Sequence, residues 1–175
     1  VKIIYQSFAA KEPNEFILCP YLLKEFRNRW FVFGSRAKDL VLYNLPLDRI
    51  ISIEPVDVPF RDNPDFDPEH FFDDVIGVSK NIRNTPRRIR FWANEEQSKY
   101  IKTKPIHSSQ KIIRENPEDG SHIFEINVVI NFEMYSVFMS YGPGIKIIHP
   151  RNVVSHMRDK LRAAADLYNE ENSID

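Results

Sequence analysis

The sequence predicts an α+β chain: a small β-barrel first, then a ferredoxin-like β-α-β-β-α-β domain, then a C-terminal helix. Three observations carry this expectation. Short apolar segments rich in β-branched and aromatic residues crowd the chain before Glu54, separated by turn-forming clusters. From Arg87 onward the hydrophobic period alternates between two and 3.6, in the order strand, helix, strand, strand, helix, strand. A final amphipathic stripe then closes the chain.

In order, Lys2–Phe8 and Phe16–Leu23 read as strands around the polar turn Lys11-Glu12-Pro13-Asn14-Glu15. Arg27-Asn28-Arg29 reads as a tight hairpin connection into Trp30-Phe31-Val32-Phe33-Gly34, and Arg36-Ala37-Lys38-Asp39 as a second turn into Leu40–Leu45. Arg49–Ile53 supplies one more strand, and Pro46 and Pro55 suit strand ends because each removes a ladder donor. A short helix is expected near 68–76. Asp67 would be its N-cap, Pro68 its first residue and Gly77 its stop, with Phe71, Phe72 and Val75 packing on one end of the barrel. Ser79–Pro86 reads as a linker, so the expected domains are 1–84, the barrel, and 85–175, the ferredoxin-like part with its terminal helix.

In the second domain Arg87–Trp92 alternates, with Ile89 and Phe91 on one face and Arg88 and Arg90 on the other. Asn94 can cap a helix through Ile101, with Gln97 in the capping position. Ser109–Arg114 reads as a strand, and Ile123–Phe132 as a longer one with Phe124, Ile126, Val128, Ile130 and Phe132 on one face. Met134, Val137, Phe138 and Tyr141 then stand at helical spacing before Gly142, and Ile145–Ile148 gives the last strand. Val154, Met157, Leu161, Ala164 and Tyr168 form the stripe of the closing helix.

Composition narrows the function. Of the 175 residues, 42% are hydrophobic and 28% charged, which is globular and not disordered, and 13 Phe, 7 Tyr and 2 Trp supply large core faces. Cys19 is the one cysteine, so no intrachain disulfide forms, which favours a reducing, cytoplasmic setting. No apolar run approaches a membrane span and no signal-peptide core is visible. The chain begins at Val1 already in strand-like sequence and reads as a piece of a longer protein.

The net charge of −1 hides an asymmetry. From Glu54 to Asp74 there are eight acids and one base, Arg61; from Lys80 to Arg114 there are ten bases against Glu95 and Glu96. Such blocks either mark a surface for an anionic ligand or neutralise each other across a domain or subunit contact.

No catalytic set converges. His70, His107, His122, His149 and His156 are scattered outside any metal-ligand spacing, so no metal and no cofactor are expected. His107-Ser108-Ser109 places an imidazole beside hydroxyls, but neighbours on a strand face opposite ways, which argues against activation. Tyr141-Gly142-Pro143-Gly144 lacks the Lys of a phosphate loop, Cys19 reads as a small core residue, and Asp73-Asp74 as solvated charge. The expectation is a binding module and not an enzyme. What remains is an aromatic and basic set: Tyr21, Arg29, Trp30, Phe31, Arg36 and Arg49. Stacking faces beside fixed cations suit nucleotides and single-stranded nucleic acids. The structural alternative is barrel core for the aromatics, and salt bridges to Asp48 or Glu54 for Arg29 and Arg49.

Segments in sequence order resemble the WYL-domain regulators of bacteria: Pro20-Tyr21-Leu22, Arg29-Trp30-Phe31-Val32 where the family reads Arg-Trp-Tyr-Leu, and Leu47-Asp48-Arg49-Ile50. The second half is similar to the C-terminal extension that follows such domains, through Pro105-Ile106-His107-Ser108-Ser109-Gln110, Ser140-Tyr141-Gly142 and Ile147-Ile148-His149-Pro150. The resemblance implies an Sm/SH3-like barrel and a ferredoxin-like extension behind a winged-helix DNA-binding domain that this chain lacks. It also implies a homodimer sensing a nucleotide-like or single-stranded DNA effector, with operator DNA reached through the missing domain. On this footing Arg29 and Arg49 would hold an anion, Tyr21, Trp30, Phe31 and Arg36 would line the pocket, and His107 and Gln110 are outlying candidates. The sequence departs from the family at Phe31 (Tyr), Val32 (Leu) and Tyr43 (often Arg). The alternative is a dimerisation or interaction module without a small ligand.

Overall fold

Arg27 and Asn28 both adopt left-handed backbone, φ 51° and 62°, which is the geometry of a two-residue type I′ hairpin turn. They join β2 (Asn14–Phe26) to β3 (Arg29–Arg36), so the turn is one residue shorter than expected and Arg29 already pairs with Phe26. With β1 (Lys2–Tyr5), β4 (Leu42–Pro46) and β5 (Ile50–Glu54) these strands form one antiparallel sheet, ordered β4-β3-β2-β1-β5. The computed structural model describes residues 1–80 and 82–169. They fall into two units, Val1–Asp73 with Gly77–Asn84, and Asp74–Ile76 with Thr85–Asp175. No helix among the described residues is long and apolar enough to cross a membrane.

The first sheet is not closed into the expected barrel. Pro46 ends β4, and a 3-10 turn, Leu47–Arg49, carries the chain straight into β5 at the opposite edge. The two edge strands are therefore successive in sequence but unpaired. Within the sheet, β2 pairs with β1 through Asn14–Ile17 and with β3 from Leu18 onward. Its register slips at Tyr21, next to Pro20, which has no N–H to give the ladder. Gly34 lies opposite Pro20, where a Cβ would stand 2.5 Å from the Cys19 carbonyl oxygen, so the strands approach too closely for any side chain. Leu40, expected to open β4, has φ 56°, and β4 starts only at Leu42.

Both faces of this sheet are packed. Ile3, Tyr5, Leu18, Val32 and Leu45 form one cluster; Phe33, Phe66, Phe71 and Val78 form the other, with Tyr21, Phe31 and Phe72 at its margin. The adjacent Val32 and Phe33 point into different clusters, as strand alternation requires. The second cluster is closed by the segment after β5. Asn63 donates to Ser35 Oγ and to the Leu40 carbonyl, Arg61 to the Ala37 carbonyl, and Asn44 to the Val78 carbonyl.

That segment contains no helix near 68–76; residues 68–74 form turns. Asp67 does accept the Glu69 N–H as a cap would, and Phe71 N–H reaches the Asp67 carbonyl. The Asp74 carbonyl, however, takes the Val129 N–H, so the chain leaves helical pairing there. A nucleus this short cannot offset its own conformational cost.

In the second unit β6 (Arg87–Ala93), β7 (Lys111–Glu115), β8 (His122–Val128) and β9 (Ile145–His149) form an antiparallel sheet, ordered β7-β8-β6-β9. Helices α1 (Glu95–Thr103) and α2 (Phe132–Met139) intervene to give β-α-β-β-α-β, and α3 (Arg151–Asn169) follows. Ile89, Phe91 and Ala93 of β6 and Phe124, Ile126 and Val128 of β8 face one core with Ile101, Met134, Phe138 and Val153. Phe91 and Phe124 pair across the strands with centroids 5.3 Å apart. Each buried aromatic contributes about 1.5–3 kcal/mol.

Three boundaries differ from expectation. The strand expected over Ile123–Phe132 stops at Val128: Val129 N–H leaves the ladder for Asp74, and Asn131 Oδ1 accepts Met134 N–H and caps α2, leaving Phe132 exposed at its start. The strand expected from Ser109 begins at Lys111, residues 107–110 being a turn region. On α3 the buried residues are Val153 and Met157, one turn apart, whereas Leu161, Ala164 and Tyr168 of the expected stripe are exposed.

Candidate functional site

Arg49 ends the 3-10 turn between β4 and β5, where the chain reverses past the end of β1. Its carbonyl accepts Gln6 N–H, which pins the turn to the residues after β1. The guanidinium lies 4.0 Å from the centre of the Phe8 ring, and Phe8 is 81% exposed. Gln6, Ser7, Ala10, Asp48, Ile50 and Ile51 complete an open groove of about 390 Å³ around this pair. Arg49 Nε is buried and has no hydrogen-bond partner among the described residues. Such a donor costs about 1–3 kcal/mol if it stays unpaired.

Arg36 repeats this chemistry at the end of β3. It stands opposite Leu18 in the register, so it shares the face of the Ile3 cluster. Its guanidinium covers two rings, Phe16 at 4.5 Å and Tyr43 at 4.7 Å, and its Nε is likewise buried without a partner. Aromatic faces hold both arginines in place without neutralising them, which leaves charge and donors for an anion.

The remaining expected residues divide. Arg29 Nε stands 3.5 Å from Asp48, beside Arg49 in sequence, and both side chains are half-exposed; such a pair is worth about 0–1 kcal/mol and yields easily. Trp30 is 52% exposed, opposite Glu25. Tyr21 and Phe31 pack at the margin of the Phe33 cluster and not with the rings that hold Arg36. The Tyr21 hydroxyl donates to the Arg61 carbonyl, and its ring meets Phe60 edge-on, so it anchors the segment after β5.

In the second unit Gln110 is occupied at both ends of its amide, accepting Ile106 N–H and donating to the Ile101 carbonyl. His107 Nδ1 lies 2.8 Å from Ser109 Oγ. The two residues sit in a turn and not on a strand, and the imidazole meets Ser109, two residues on, and not its neighbour Ser108. Ser109 Oγ also accepts Asn127 N–H, so the pair ties this turn to the end of β8.

Phe8, Phe16 and Tyr43, whose rings hold the two arginines, are not among the expected site residues. The one visible signal is Phe8, a large apolar residue that precedes the polar turn Lys11–Glu15.

Residues 1–55 match the WYL domain family, and residues 85–165 match the WCX domain family. A comparison with curated proteins matched none. Among solved structures, a CRISPR Cas-related protein is similar at 14% identity and TM-score 0.53, covering 98% of this chain and 49% of that one. Proteasome accessory factor B/C (PafBC) of Arthrobacter aurescens matches at 16% identity and TM-score 0.42, covering 97% of this chain and 25% of that one. The chain thus spans about half the length of the first and a quarter of the second.

Proposed function

The chain is a WYL domain followed by a WCX domain, and from that premise we propose that it is the effector-sensing region of a transcriptional regulator. Its effector is a nucleotide-like molecule or a single-stranded nucleic acid, and binding controls a separate winged-helix domain that contacts operator DNA. It is a binding module and carries out no catalysis. The observation that supports this reading is the pair of ring-held arginines, above all Arg49, which lines an open groove with Phe8 while its buried Nε has no hydrogen-bond partner among the described residues. A phosphate in that groove meets a planar guanidinium that is held by an aromatic face and not by a carboxylate.

The test is calorimetric titration of the chain with mononucleotides and dinucleotides at fixed salt. Arg49→Ala should weaken binding by roughly ten- to a hundredfold while thermal unfolding stays near that of the parent. Wild-type affinity in this variant removes Arg49 from the site.

A second reading, a homodimerising module, is favoured by α3, where Leu161, Leu167 and Tyr168 are exposed. Sedimentation velocity of Leu161→Asp/Leu167→Asp decides it: a dimer that the double change does not dissociate does not use this stripe.

A further inference from the structure

The basic block between Lys80 and Arg114 is only partly absorbed by ion pairs. Lys99 is held by Glu95 and Lys102 by Glu115. Arg88, Arg90, Lys111 and Arg114 go elsewhere, and the strand register shows where. On β6 the residues alternating with buried Ile89, Phe91 and Ala93 are Arg88, Arg90 and Trp92; on β8 those alternating with Phe124, Ile126 and Val128 are Ile123, Glu125 and Asn127. These two sets share the sheet face away from the helix-packed core.

Pairing builds that face into rows. One row runs His149, Arg90, Glu125, Lys111 across β9, β6, β8 and β7; the next runs Lys146, Trp92, Ile123, Arg114. Slips on both outer strands keep these cations in line: Ile113 on β7 and Ile148 on β9 are the extra residues, and in an unbroken register Arg114 and His149 would turn to the core side. Arg88, opposite Asn127, begins a third row. The strands of this face thus hold Arg88, Arg90, Lys111, Arg114 and Lys146 against one carboxylate, Glu125, whose bond to Arg90 is 2.7 Å, and a second carboxylate, Asp119 of the turn after β7, lines the cleft beside Trp92 and Arg114. Arg88, Lys111, Arg114 and Lys146 have no ion-pair partner among the described residues. Trp92 is half-buried in the middle, its row flanked by Lys146 and Arg114. A cleft lined by Trp92, Arg114 and Ile123 opens at one end, and a second lined by Arg87, Arg88, Arg90 and His149 at the other.

We propose that this open face of the second unit's sheet, Trp92 ringed by Arg88, Arg90, Arg114 and Lys146, binds single-stranded nucleic acid. Trp92 stacks a base and the cations on either side take the flanking phosphates. Lys146 lies beside Trp92 on the next strand, about 4.8 Å across the sheet, Arg114 lies two strands away, and Arg90 and Arg88 follow along β6 at about 3.4 Å per residue, so the cations run out from the ring in two directions. Base stacking tolerates any sequence, and phosphate contacts supply the salt-dependent part of the affinity. A duplex, with its bases already stacked, cannot use Trp92. The inference rests on residues of the second unit alone and is independent of Arg36 and Arg49.

The experiment is anisotropy titration of the chain with labelled dT12, U12, a 12-base-pair duplex and inorganic polyphosphate as competitor, across salt, with tryptophan quenching read in parallel. The variants are Trp92→Leu, which keeps an apolar cover, and Arg88→Ala/Arg114→Ala/Lys146→Ala, which removes cations that hold no partner. Single strands should bind more tightly than the duplex and quench fluorescence. Trp92→Leu should lose roughly five- to a hundredfold in affinity together with the quench. The triple change should flatten the slope of log affinity against log salt by about 2, as expected for three lost phosphate contacts on a single strand. Preference for dT12 or U12 supports the face either way and identifies the sugar. Wild-type affinity and salt slope in the triple variant overturn the proposal, as does polyphosphate competition with no effect of Trp92→Leu. The dinucleotide titration of Arg49→Ala reports on other residues, so each reading can fail alone.

Discussion

Arg49 rests its guanidinium 4.0 Å from the centre of the Phe8 ring while its Nε stays buried with no hydrogen-bond partner among the described residues. The contact separates positioning from neutralisation: an aromatic face orients a cation without satisfying it. A carboxylate in the same place would consume the charge, as Asp48 does in part for Arg29.

If Phe8 positions Arg49, its loss should act through the arginine. Phe8→Ala should weaken nucleotide binding by roughly three- to tenfold, and by much less when made in an Arg49→Ala background, because the two act as one unit. Arg49→Lys should not restore affinity, since an ammonium lacks the planar fork. Equal effects of Phe8→Ala in both backgrounds would show that the ring contacts the ligand by itself. The readout is a double-mutant cycle by calorimetry.

The close approach at Gly34 predicts a stability defect without a binding role. A Cβ there would lie 2.5 Å from the Cys19 carbonyl oxygen and 3.0 Å from Pro20 Cα, both backbone atoms that cannot swing aside. Gly34→Ala should therefore destabilise the first unit by about 1–3 kcal/mol, measured as a shift in the urea midpoint at unchanged m-value. A variant as stable as the parent would mean that β2 and β3 separate there at little cost.

How far the sequence could be read depended on whether local pattern or tertiary partners made the decision. The alternation of Arg87–Trp92 and the Asn94 cap are local signals, and both are seen in the structure. The same kind of local signal misled at Asp67, which caps a turn and no helix, because the fate of that segment is set by the Asp74–Val129 hydrogen bond, between residues far apart in sequence. At the candidate site Arg49 and Arg36 could be singled out as cations, but their ring partners could not. Phe16 and Tyr43 meet Arg36 only because β2, β3 and β4 lie side by side, and the slip at Tyr21 moves that residue toward the Phe33 cluster.

His70 and Asp67 form a pair that titrates. His70 Nδ1 lies 2.8 Å from Asp67 Oδ2; the hydrogen bond first, and the negative charge second, raise the imidazole above its ordinary 6.5, and the same hydrogen bond holds Asp67 below its ordinary 3.8. A raised histidine favours the folded state fully below the unfolded value near 6.5, and that contribution is lost as pH rises through the higher folded value. The lowered Asp67 contributes above 3.8 and loses it as pH falls. The pair is thus at full strength between the two ordinary values. In an NMR titration Asp67→Asn should bring the His70 midpoint back toward 6.5; an unmoved midpoint would assign the shift to Asp73 or Glu69 instead.

Asn131 uses both ends of its side chain, and the two functions can be separated. Its Oδ1 accepts Met134 N–H at 2.7 Å, capping α2, and its Nδ2 donates to the Ile76 carbonyl at 2.9 Å, which fastens Asp74–Ile76 to the second unit. Asn131→Asp keeps the acceptor, and its charge suits a helix N-terminus, but it removes the donor and sets a carboxylate near a carbonyl oxygen. Asn131→Ala removes both. Loss of the cap alone costs about 0.5–2 kcal/mol, and loss of the hydrogen bond to Ile76 about 0.5–1.5 kcal/mol. Urea unfolding should therefore rank the parent above Asn131→Asp and that above Asn131→Ala, with the last lower by roughly 1–3 kcal/mol in total. Amide exchange separates the contributions further: Met134 N–H should stay protected in the Asp variant and exchange faster in the Ala variant. Val129 N–H, which bonds the Asp74 carbonyl, should exchange faster in both. Equal stability of the two variants would mean that the cap contributes nothing and that Ile76 alone explains the asparagine.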